Sequence, residues 1–99
     1  MIIVLTSTAP PQLSDLDRFD RLHAELHGEI SAVQLDGLCR AGDDDHVWLD
    51  IDAARETGSE LAADDSFAGS FDAMIAFARD HGWVDEAGTH VRAHVIAAG

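Results

Sequence analysis

Apolar and polar positions change their spacing several times along this chain, and each change predicts an element. Ile2 to Leu5 is an unbroken β-favouring run that Pro10 and Pro11 close, which predicts one edge or terminal strand. From Ser14 onward Leu16, Phe19, Leu22 and Leu26 recur every three to four residues. Ser14 suits an N-cap, with Asp15 and Asp17 near the positive start, so the spacing predicts a helix over 14–27. Beyond Gly28 the positions Ile30, Val33 and Leu38 fit a second helix up to Gly42 or, read as Ile30 to Leu35, a strand; the helix is the preferred reading.

The second half is more regular. His46, Trp48 and Asp50 alternate with Val47, Leu49 and Ile51, the pattern of a half-buried strand. Asp50 or Asp52 can cap a short helix ending near Gly58, and Ser70 can cap a longer one from Phe71 to His81, with Phe71, Met74, Ile75 and Ala78 as its apolar stripe and Gly82 as its stop. Trp83-Val84, a turn with Gly88 at positive φ, and the alternating Val91, Ala93 and Val95 predict a closing hairpin. With the valines inward, His90, Arg92 and His94 face outward together and are expected to lie against His46, Trp48 and Asp50, with Arg92 meeting Asp50 or the face of Trp48.

This order of helices, one strand, two helices and a C-terminal β-hairpin resembles a winged-helix domain over roughly residues 15 to 97, an α+β architecture. The resemblance implies DNA binding through the second helix of the pair. That helix offers Asp72, Asp80 and Arg79, which opposes the implied role. The competing architecture is a βαββαβ ferredoxin-like sandwich with Ile2 to Leu5 as first strand and Ile30 to Leu35 as another.

Composition narrows the classes. Ninety-nine residues suit one acidic globular domain over 1–99, and 46% apolar with 25% charged residues is the balance of a folding chain. The net charge is −13, with six arginines (Arg18, Arg21, Arg40, Arg55, Arg79, Arg92) and no lysine, which leaves nothing to build a phosphate-neutralising stripe. Direct nucleic-acid contact and anionic membranes are therefore not expected; a basic protein partner, a salt-rich cytosol, or solubility alone accounts for the acidity. The single cysteine, Cys39, excludes an internal disulfide, and with no signal-peptide pattern and no spanning apolar run the expectation is a cytoplasmic protein, with a homodimer compatible.

Candidate chemistry begins with "RLHAELHG". On a helix Asp20, His23 and His27 fall within about 60° of one another at the border of the apolar stripe, and could give three ligands to zinc or another divalent metal. It is not the zincin signature, because Glu25 would lie on the opposite side of such a helix from the histidines. His90 and His94 flank Arg92, whose charge opposes a cation and suits a carboxylate. "GDDDHVWLDID" lacks the glycine and distal glutamate of an EF-hand loop, and "ADDSFAGSF" resembles a carrier-protein attachment site with Ser66 as the serine, which the strand at 47–51 and the hairpin contradict. Cys39, placed in the 30–42 helix, reads as a packed hydrophobe, and neither a nucleophile elbow nor a glycine-rich phosphate loop occurs.

The function expected from these features is a non-enzymatic interaction or regulatory module of the immunity or inhibitor type. It would bind a protein partner, a basic one being compatible with the charge, through Trp48, Asp50, His90, Arg92 and His94. The alternative is a small metal-dependent enzyme or metal-binding domain using Asp20, His23 and His27.

Overall fold

Alternation of buried and half-exposed residues marks the principal strands of the chain. The computed structural model describes residues 1–16, 18–19, 22–29, 32–43, 45–62 and 65–98. Among the described residues six strands form one curled, mixed sheet: β1 (Ile2–Leu5), β2 (Gln12–Ser14), β3 (His23–Leu26), β4 (Cys39–Ala41), β5 (His46–Asp50) and β6 (His90–Ala97), in the spatial order β2-β1-β3-β6-β5-β4. β1 runs parallel to β3 and β3 parallel to β6; the outer pairs β1–β2, β5–β6 and β4–β5 are antiparallel.

Two helices, α1 (Ile51–Leu61) and α2 (Phe67–Asp80), fill the single connection between β5 and β6. Asp50 ends its strand and starts the helix, its Oδ1 accepting the Ala53 amide at 3.0 Å. Gly58 does not stop α1, as its sequence position suggests. It lies in the helix interior where the Phe67 ring of α2 packs against the backbone. α2 begins at Phe67, earlier than the Ser70 cap predicts, and Gly82 at φ +76° turns the chain out of it as expected.

One face of the sheet is dry. Ile3, Leu5, Leu13, Ala24, Val47, Leu49, Val91 and Ala93 pack with Ala54, Phe67, Phe71, Ile75 and Ala78 of the helices into one core. The other face carries Trp48, His46, His23, Arg92, His94 and Ile96. No helix among the described residues covers it.

The winged-helix expectation is wrong, and so is the ferredoxin-like alternative. No helix precedes β5 among the described residues, and β3 occupies part of the segment expected to be helical. Ser14 closes β2 instead of capping a helix, and Asp15 at φ +50° takes the backbone out of any helical path. Leu16, Phe19 and Leu22 keep their three-residue spacing because each packs on the core from an irregular segment, Phe19 lying edge-on to Phe67 at 5.6 Å. Residues 32–38 form turns leading into β4, so Cys39 is on a strand and not in a helix; Ile30 and Ser31 lie outside the described residues. β1 is also not an edge, being flanked by β2 and β3. No helix among the described residues is long and apolar enough to cross a membrane.

Candidate functional site

β5 and β6 place the expected surface residues in register. Trp48 lies opposite Arg92, His46 opposite His94 and Asp50 opposite His90. The pairing extends to β3, where His23 is the other neighbour of His94, so three histidines from adjacent strands form a row across the uncovered face. The His46 and His94 rings meet edge-on with centroids 5.4 Å apart.

The polar groups here have different commitments. Asp50 is taken up by the α1 cap, and the register sets it opposite His90, with Arg92 opposite Trp48. His90 is held through Nδ1 by the Thr89 hydroxyl at 2.8 Å and stands 3.6 Å from Asp85. His46 Nδ1 bonds Asp43 at 3.0 Å; the Asp45 amide first, then His46, hold the Asp43 carboxyl below its ordinary range. Arg92 has no ion-pair partner among the described residues, whereas Arg40 pairs with Asp85 at 3.6 Å and Arg55 with Asp72 at 3.0 Å.

His23 and His27, two of the three candidate metal ligands, stand four residues apart on β3 and just past its end, not on one face of a helix. His23 opens β3 and faces His94, while His27 follows β3 and pairs with Glu25 at 2.8 Å. Glu25 is thus beside His27, not across a helix from it, because residues two apart on a strand share a face. Asp20 lies outside the described residues. Among the described residues no group of three or more His, Cys, Asp or Glu side chains is arranged to hold a metal.

A second feature was not legible in the sequence. Where β6 exchanges β3 for Trp83–Val84 as its neighbour, a cleft of about 530 Å³ opens between α2 and the residues leading into β3. Phe19, Leu22, Met74, Phe77, Ala78, Trp83 and Val91 line it, and Arg92 stands at its side. Phe77, His81 and Trp83 cluster at its rim, with His81 4.1 Å from Phe77 and 4.8 Å from Trp83 between ring centroids, and the His81 Nδ1 bonded to the Phe77 carbonyl at 2.9 Å. The only local signal was Phe77, an aromatic residue off the apolar stripe of its helix. A smaller hollow of about 260 Å³, lined by Leu22, His46, Trp83, Arg92 and His94, adjoins the cleft on the uncovered face.

Comparison of the chain with protein families, with curated proteins and with solved structures returned no significant match, so the geometry of this face and this cleft carries the functional reading.

Proposed function

We propose that this chain is a non-enzymatic interaction module that docks a protein partner on the uncovered sheet face around Trp48, Asp50, His90, Arg92 and His94. The observation that carries this reading is the cross-strand pair of Trp48 and Arg92, an aromatic and a guanidinium side by side on a face that no described helix covers. Residues of these two types dominate binding energy at interfaces: the indole is a large, rigid surface, and the planar guanidinium fork is pre-organised for its hydrogen-bond partners. Ile96, 46% exposed, extends the face with apolar surface.

The acid surplus lies elsewhere and serves the approach. Asp52, Glu56 and Glu60 form a row at four-residue spacing along exposed α1, and a field of this sign speeds encounter with a basic partner. The test is capture from extract by the parent chain and by Trp48→Ala and Arg92→Glu variants, at low and high salt. One basic protein retained by the parent, weakened by salt and lost from both variants is the expected outcome. Equal retention by parent and variants would remove this face from the interaction.

A further inference from the structure

We propose that the cleft between α2 and the start of β3 is a binding site for a small amphipathic monocarboxylate, its apolar tail between Met74, Phe77 and Trp83 and its carboxylate on Arg92. The volume, about 530 Å³, lies within the range of small-molecule sites, and the lining is apolar apart from Ser70 and Arg92. Phe77 is 57% exposed and Trp83 38%, so two large aromatic side chains stand open at the mouth.

The sign of the ligand follows from what surrounds the cleft. The chain has 19 carboxylates, yet no aspartate or glutamate is among the described residues lining the cleft or the adjoining hollow. Arg92 belongs to both, and unlike Arg40 and Arg55 it has no carboxylate partner among the described residues. A guanidinium with no described acid lining its cavities, beside an apolar wall, recognises a carboxylate through paired N–H donors; His46 and His94 share the adjoining hollow with it. An amine would find no counter-charge among the described lining residues. Arg92 is common to the cleft and the docking face, whereas Trp48 lines neither cavity and so distinguishes the two.

Calorimetric titration with hexanoate, octanoate and decanoate, and with 1-decanol as the neutral comparison, tests it. Affinity is expected to rise with tail length by up to about fourfold per methylene buried. Decanoate should bind at least about tenfold more tightly than decanol, and Arg92→Ala should bring the two together. Ala73→Phe, at an exposed position on the cleft wall, should weaken both ligands while circular dichroism and Tm stay near the parent's; Met74→Trp provides a second obstruction from the same helix. Trp48→Ala should leave decanoate affinity unchanged and lose only the protein partner. Decanol bound as tightly as decanoate, or decanoate affinity unchanged in both folded obstruction variants, would overturn the assignment.

Discussion

The ring of Phe67 occupies the space that any side chain on Gly58 would need, so α1 and α2 meet ring against backbone. Glycine to alanine inside a helix ordinarily gains about 1 kcal/mol. Here the added methyl would strike a ring already stacked on Phe71 at 5.6 Å and buried in the core. Overpacking of this kind costs about 1–3 kcal/mol, so Gly58→Ala is expected to destabilise the protein on balance, as a lowered denaturation midpoint in urea. A raised midpoint would mean that the helices separate without cost.

Neighbouring residues on β6 should respond in opposite ways. Val91 is 1% exposed and faces the core, so Val91→Asp buries a charge among apolar side chains and should abolish folding. Arg92 is exposed, and Arg92→Ala should cost under about 1 kcal/mol. Thermal unfolding of the two variants checks the register directly: a stable aspartate variant with an unfolded alanine variant would exchange the two faces.

How far the sequence could be read depended on how far apart the interacting residues are. Strand 46–50 and the turn at Gly88 were visible because alternation and a positive-φ glycine are local signals, and their pairing follows from one another. β3 was not. Its four residues, His-Ala-Glu-Leu, have little strand preference and become extended because β1 and β6, from the two ends of the sequence, hydrogen-bond to both sides. The same distinction divides the site: the Trp48–Arg92 face follows from two alternating segments, whereas the cleft is assembled from Phe19 and Leu22, one side of α2, Trp83, and Val91 with Arg92.

The thiol of Cys39, opposite Leu49 on the adjoining strand, is pushed up to about 12 by burial. Thiolate is the reacting species, so at pH 8 the folded protein should react with a disulfide reagent about a thousandfold more slowly than the unfolded chain. A raised pKa also means that this group's contribution to stability is complete below the ordinary thiol value and declines as pH climbs toward 12. Native and denatured rates within tenfold of each other would contradict the burial.

Asp85 closes the turn before β6. Its Oδ1 accepts the Thr89 and His90 amides at 2.9 and 3.1 Å, and its Oδ2 the Thr89 hydroxyl at 3.3 Å. Desolvation raises its pKa, but the His90 and Thr89 hydrogen bonds together outweigh it and leave the carboxyl below its ordinary value. The depressed pKa makes this stabilisation fully present above the unfolded value, near 4 by the usual reference of about 3.9, and lost as pH falls through the lower folded value. Asp85→Asn should therefore lower Tm at pH 7, and the gap from the parent should narrow in acid. A gap of constant size down to the acid limb would assign the loss to packing.

The central position of β6 has a consequence for synthesis. Of the six strands it leaves the ribosome last, yet it is the one that joins β3 to β5. Until residues 90–97 emerge, the nascent chain holds two unjoined half-sheets, β2-β1-β3 and β5-β4, each with a raw hydrogen-bonding edge on the side that will become the middle. Completion is thus a single late insertion with long-range contacts on β3, a slow step by topology, and a nascent chain stalled before residue 90 would offer two sticky edges to any neighbour or chaperone.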